Sequence, residues 1–147
     1  GKITDLFAGC GTFSLPLADQ AEVHCLEGEA AMMAALDQGW RRATGLKKVT
    51  HETRDLFRRP LYPDEFRYVD AVVLDPPRAG AEAQVEQLAN SDVQKIAYVS
   101  CNPGTFARDA ACLTKSGFQL VWVQVVDQFR WSPHTELAAA FTRTHMV

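Results

Sequence analysis

Lys2-Ile3-Thr4-Asp5-Leu6-Phe7-Ala8-Gly9-Cys10-Gly11 opens the chain with an apolar-rich run that stops at two glycines one residue apart. Ile3 to Phe7 reads as a strand and Ala8 to Gly11 as a tight turn. Thr12 is placed to cap a helix running to about Ala18. Strand, glycine turn and helix in that order open the parallel folds that bind ligands at the carboxyl ends of their strands. Glycines there let the backbone approach a ligand, and the start of the helix offers unpaired N–H groups.

The alternation continues downstream. Glu22 to Leu26, Lys48 to Glu52, Val69 to Leu74 and Lys95 to Val99 read as further strands. Ala30 to Arg42, Glu82 to Asn90 and Thr105 to Lys115 read as helices, the last stopped by Ser116-Gly117. The run Val69 to Leu74 is nearly all apolar, as a parallel strand buried on both faces requires. Phe118 to Val126 and Ala138 to Thr144 add two strands with no helix between them. The expectation is an α/β, doubly wound, mostly parallel seven-stranded sheet of Rossmann type with an antiparallel C-terminal hairpin. No repeat, low-complexity tract or linker divides residues 1–147, so one domain is expected. The chain starts inside its first strand, which points to an excised domain with further material upstream.

Composition narrows the function classes. The chain has 147 residues, is 47% hydrophobic and carries a net charge of −3, enough for one sizeable core. No apolar run approaches the roughly 18 residues of a membrane helix, so no membrane partner is expected. Cys10, Cys25, Cys101 and Cys112 form no CxxC pair. That disfavours metal sites and disulfide frameworks and points to a reducing cytoplasm. Proteins gripping nucleic acid by its phosphates carry a basic surplus. This chain lacks one, so a nucleic-acid partner must be held by a local patch or another domain. The pairs Arg41-Arg42, Lys47-Lys48 and Arg58-Arg59 read first as solvated faces.

The chemistry-bearing residues stand at strand ends. The pattern Asp5-x-x-x-Gly9-x-Gly11 is followed by Ser14, where a dinucleotide fingerprint has its third glycine, and Glu27 ends the second strand. A carboxylate there can accept both ribose hydroxyls of an adenosine. NAD is one candidate. An acidic residue before the glycine turn fits an amine-bearing ligand such as S-adenosylmethionine better than a pyrophosphate. Asp55 is placed to reach an adenine amino group or to cap a helix. Asp75-Pro76-Pro77-Arg78 ends the fourth strand, its prolines aiming Asp75 into the crevice or building a plain turn. Ser100-Cys101-Asn102-Pro103 ends the fifth, ahead of a helix whose start can lower a thiol pKa, which makes Cys101 a candidate nucleophile. Cys10, Cys25 and Cys112 read as small buried hydrophobes. Glu136, after the aromatic run Phe129 to His134, fits a partly desolvated general base or an ordinary salt-bridge partner. His134 fits a phosphate contact or simple packing.

In this order the segments resemble the catalytic domain of the S-adenosylmethionine-dependent RNA uracil-5-methyltransferase family. The likeness runs through Asp5 to Phe13, Glu27-Gly28, Asp75 to Gly80, Ser100 to Asp109 and His134-Thr135-Glu136. Cys101 stands 26 residues after Asp75, and Glu136 35 after Cys101, which agrees with the family pattern. The resemblance implies a class I methyltransferase-like fold and an RNA substrate, ribosomal or transfer. It implies cofactor positions at Phe7, Thr12, Glu27, Asp55 and Asp75 beside the turn glycines Gly9 and Gly11, a nucleophile at Cys101 and a proton acceptor at Glu136. Thiolate addition at uracil C6 makes C5 enolate-like, so that C5 can take the methyl group. Its proton must then leave before the thiolate is expelled, and the target base must leave its stack. Two departures stand out. Arg130-Trp131-Ser132 follows Phe129 where the family often has Pro-His-Thr. The family's upstream parts are also absent, including a cofactor-contacting Gln, an RNA-binding barrel and an iron–sulfur cysteine cluster.

Other classes are less well supported. An NAD-dependent oxidoreductase shares the glycine turn and Glu27 but leaves Cys101 and Glu136 without a purpose. A non-catalytic cofactor- or RNA-binding domain has no need for that pair. Amino-group methyltransferases present Asn/Asp-Pro-Pro-Tyr rather than Asp75-Pro76-Pro77-Arg78.

Overall fold

A computed structural model describes residues 1–9, 11–126 and 136–144. Seven strands form one sheet: β1 (Lys2–Leu6), β2 (Glu22–Glu27), β3 (Val49–Thr53), β4 (Ala71–Leu74), β5 (Lys95–Ser100), β6 (Gln119–Val126) and β7 (Glu136–Thr142). Four helices are interleaved: α1 (Ser14–Leu17), α2 (Ala30–Arg42), α3 (Glu82–Ala89) and α4 (Pro103–Lys115). The strand order is β3-β2-β1-β4-β5-β7-β6. The first five strands run parallel, and β7 inserts antiparallel between β5 and β6. Parallel neighbours need a crossover, and helices supply most of them. The expected doubly wound sheet with its terminal hairpin is what the chain forms.

Local chemistry explains where the elements begin. Asn102 is the N-cap of α4, its side chain accepting from the Gly104 N–H at 3.0 Å, and Pro103 takes the first helical position. Both choices favour a helix start, which is why α4 begins two residues before the expected Thr105. The first helix departs the other way. Phe13, not Thr12, holds the N-cap of α1, makes no side-chain cap hydrogen bond, and the helix has only four residues. Ser14, the first of them, turns inward to a buried partner instead. Pro60 and Pro63 keep the β3–β4 crossover from becoming an α-helix, leaving a 3-10 turn at Pro63–Phe66. β7 begins at Glu136, two residues earlier than expected.

Two cores hold the layers together. The larger lies between the sheet and the α3–α4 pair and joins Leu6, Leu26, Leu74, Tyr98, Phe106 and Phe141. The smaller lies under α2 and joins Val23, Cys25, Met33, Leu36 and Val49. At roughly 1.5–3 kcal/mol per fully buried large apolar side chain, the first dominates stability. It also anchors the carboxyl ends of β1, β4 and β5, where the candidate residues stand.

Candidate functional site

Register does the first part of the assembly. Leu6 is the Cα partner of both Leu26 and Leu74, so the next residues, Glu27, Phe7 and Asp75, form a row across the tips of β2, β1 and β4. Ser100 is the partner of Leu137 in the antiparallel β5–β7 pair. One step further brings Cys101, leaving β5, across from Glu136, which starts β7. Residues far apart in sequence therefore stand at neighbouring strand tips because their strands end together.

The row opens into a cleft of about 450 Å³ lined by Phe7, Gly9, Glu27, Asp55, Asp75 and Pro77, with Met32, Arg54 and Phe57 among its other walls. Five of the expected cofactor residues lie on it. Gly11 and Thr12 do not. Gly11 instead packs tightly behind the turn, where a Cβ would stand 3.1 Å from Leu36 Cγ and 3.3 Å from Leu15 Cγ. Phe7 has φ +62, a left-handed conformation that costs a bulky residue of order 1–3 kcal/mol and clusters at ligand sites. Its ring tilts against Phe57, with centroids 5.5 Å apart. Phe57 is half exposed, so the pair presents an apolar face to the cleft.

The carboxylates are arranged differently from one another. Glu27 Oε2 accepts from the Gly9 N–H at 2.8 Å, and Oε1 accepts from the Gly28 N–H at 2.9 Å, which ties the glycine turn to the start of α2. Asp55 Oδ1 accepts from the Phe57 N–H at 3.0 Å, so it caps a turn and lines the cleft at once. The two alternatives open at Asp55 are thus compatible. The Asp75 carboxyl is pushed up to about 6, first by burial and then by the charges of Glu136 and Glu27. Asp5, directly behind the row, is fully buried and pushed up to about 7. Burial is the main cause, the Ser14 hydroxyl bond opposes it, and the charges of Asp75 and Glu27 add to it. Ser14 Oγ donates to Asp5 Oδ2 at 2.5 Å, while Asp5 Oδ1 has no partner among the described residues.

The thiols also differ. Burial pushes Cys25 up to about 12, and its Sγ donates to Ser14 Oγ at 3.0 Å. Burial raises Cys112 too. Cys25 is buried as expected, whereas Cys112 is partly exposed and packs against the edge of the larger core. Cys101 is partly exposed and directly precedes the cap of α4. Cys10, the Phe129 to Pro133 run and His134 lie outside the described residues.

Sequence reasoning missed Arg54. Its guanidinium donates to Arg59 O at 2.7 Å, to Pro60 O at 2.7 Å and to Glu65 Oε1 at 2.9 Å, bracing the segment that carries Asp55 and Phe57. An arginine between Glu52 and Asp55 at a strand end was the available signal. No group of three or more His, Cys, Asp or Glu among the described residues is arranged to hold a metal ion. No helix among them is long and apolar enough to cross a membrane.

A family profile described as tRNA (uracil-5-)-methyltransferase matches residues 42–144. An uncharacterized RNA methyltransferase of Mesorhizobium japonicum is 57% identical over 94% of this chain and 34% of its own length. The 23S rRNA (uracil(1939)-C(5))-methyltransferase RlmD of Chromohalobacter salexigens is 41% identical over 97% of this chain and 29% of its own. The crystal structure of Pyrococcus abyssi tRNA (uracil-54, C5)-methyltransferase in complex with S-adenosyl-L-homocysteine superposes with a TM-score of 0.82 at 29% identity. It covers 96% of this chain and 34% of that one. The chain thus spans about a third of the length of these relatives.

Proposed function

The chain belongs to the tRNA (uracil-5-)-methyltransferase family, and from that premise we propose that the protein methylates C5 of a uridine in RNA, with Cys101 as nucleophile and Glu136 as base. The observation that carries the reading is the β5–β7 register, which sets a partly exposed thiol across from a carboxylate at the strand tips. The substrate class, a uridine of ribosomal or transfer RNA, rests on the family and on the names of the relatives. An RNA substrate and a reduced thiol both fit a cytoplasmic protein.

The cleft suits S-adenosylmethionine. Four carboxylates, Glu27, Glu29, Asp55 and Asp75, outnumber the single guanidinium of Arg54 around a space walled by the Phe7–Phe57 pair. That lining favours a cationic ligand with a flat ring and opposes a pyrophosphate, which argues against NAD. Phe7, Gly9, Glu27, Asp55 and Asp75 hold the ligand at the cleft, and Gly11 and Thr12 shape the turn behind it. When bound, it supplies the methyl group as an electrophile.

The chain's own residues carry the rest. Cys101 Sγ, as thiolate, adds to uracil C6, and the displaced electron pair makes C5 nucleophilic. Once C5 carries the methyl group, Glu136 removes the C5 proton. The electron pair left on C5 restores the C5=C6 double bond and expels the thiolate from C6. In the full-length protein, Cys101→Ala is expected to abolish 5-methyluridine formation while retaining S-adenosylhomocysteine binding. Glu136→Gln is expected to permit methyl transfer and stall release, so that a protein–RNA adduct accumulates on denaturing gels. Methylation of uridine by the Cys101→Ala variant overturns the assignment.

A further inference from the structure

Side chains of α4 bind the chain leaving β4 residue by residue. Asn102 Nδ2 and Thr105 Oγ1 each donate to the Arg78 carbonyl oxygen at 3.0 Å. Arg108 Nη2 donates to Ala79 O at 3.0 Å. The Ala81 N–H donates to Asp109 Oδ2 at 2.9 Å. Between these bonds Gly80 has φ +78, and a Cβ there would stand 2.7 Å from Arg108 Nη2 and 2.9 Å from Thr105 Cβ. Asp109 is itself 1% exposed and is locked by the Tyr98 hydroxyl, which donates to it at 2.5 Å. Connecting segments at a sheet tip are ordinarily among the more mobile parts of a fold. This one is hydrogen-bonded to α4 or its cap at Arg78, Ala79 and Ala81.

What the clamp connects gives it meaning. Asp75 lies three residues before Arg78, with Pro76 and Pro77 between them, and each proline ring fixes its own φ. Cys101 immediately precedes Asn102. Beside the β4–β5 ladder, a second route from the cleft carboxylate to the thiol therefore runs through two prolines and the Asn102–Arg78 hydrogen bond. Asn102 serves both ends of that bond's geometry, since its Oδ1 caps α4 while its Nδ2 reaches Arg78. Aspartate would satisfy the cap and lose the clamp, placing an acceptor against a carbonyl. Thr105 supplies the second donor to the same oxygen, filling its other lone pair, with the Asn102 carbonyl a more distant acceptor at 3.3 Å.

We propose that Asn102 and Thr105 are positioning residues that act through the Arg78 carbonyl to hold Cys101 at a fixed offset from Asp75, so that thiol and methyl donor meet the same base. The inference rests on the function proposed above. A misplacement of about 1 Å in such an arrangement costs on the order of a hundredfold in rate, far more than the lost hydrogen bond costs the fold.

The test uses Asn102→Asp, Thr105→Val and Thr105→Ser in the full-length protein. Steady-state methylation of a uridine-containing RNA, S-adenosylhomocysteine affinity and thermal midpoint are measured for each. Asn102→Asp and Thr105→Val are expected to lose about a hundredfold in kcat, with KM for RNA and S-adenosylhomocysteine affinity unchanged, and Thr105→Ser is expected to recover most of the loss. Wild-type kcat in Thr105→Val overturns the proposal, as does a loss of kcat matched by equal losses of cofactor binding and thermal midpoint. A wild-type protein that methylates no uridine overturns the functional reading and this one with it. A wild type that methylates beside unimpaired clamp variants overturns this one alone.

Discussion

Asp5 and Asp75 are carboxyls that keep protons well above their ordinary range, and this has measurable consequences. Asp5 titrates near 3.8 when unfolded and at about 7 when folded. The folded chain thus binds more protons across that interval, and the stability Asp5 contributes is fully present below about pH 4 and lost as pH rises through about 7. Asp75, at about 6, adds a second decline at lower pH. Thermal midpoints from pH 4 to 8 are expected to fall for the parent chain, and Asp5→Asn is expected to make the fall shallower throughout and to end it just above pH 6, where Asp75 finishes titrating. An unchanged slope in Asp5→Asn places the titration elsewhere. Cys101 and Glu136 stand out in the sequence as candidates because each breaks its local pattern, a cysteine before Asn-Pro and a lone carboxylate after an aromatic run. Asp5 was legible as an acidic residue before a glycine turn. Its burial was not, because that depends on Ser14 and Cys25 closing over it from two other elements.

Among the elements, the strand tips decide the site. Short apolar runs bounded by turn residues and alternating with helical segments were enough to place all seven strands, length deciding where burial on both faces leaves no period. α1 stands where it was expected, and only its start moved, by one residue from a Thr12 to a Phe13 cap, with Ser14 drawn to Asp5 by a contact that has no sequence signature. The β3–β4 crossover escaped because prolines mark a break without saying what replaces the helix. The α4 clamp was legible only as conspicuous residues, Asn102 to Asp109, without their partners at 78–81. Gly80 gives an element-scale test. Gly80 and Gly45 share φ +78, but nothing lies within 4 Å of a Cβ at Gly45. Gly45→Ala is expected to cost about 1 kcal/mol from backbone strain alone. Gly80→Ala is expected to cost roughly 1–3 kcal/mol more, from the added overpacking against Arg108 and Thr105. Equal losses in denaturant unfolding of the two variants rule out a tight loop–helix contact.

For the molecule as a whole, net charge and size set the division of labour. A chain of net charge −3 with an acidic cleft is built to hold a cationic donor rather than a polyanion. It spans about a third of the length of its relatives, and on the function proposed above its negative charge leaves the grip on RNA phosphates to surfaces away from the cleft. Phosphate contacts there are expected to make RNA affinity fall steeply with salt, while S-adenosylhomocysteine affinity at the cleft changes little. Which uridine is modified was not legible, because base choice depends on surfaces that meet the RNA rather than on the strand-tip chemistry this sequence encodes.

The covalent role of Cys101 is the central claim, and intact-mass analysis tests it most directly. The full-length protein is mixed with S-adenosylmethionine and an RNA carrying 5-fluorouridine, whose fluorine cannot leave C5 as a proton. The expected result is a methylated RNA adduct that maps to Cys101 and is absent from Cys101→Ala. Turnover of ordinary uridine RNA with no adduct on the fluorinated RNA contradicts the account.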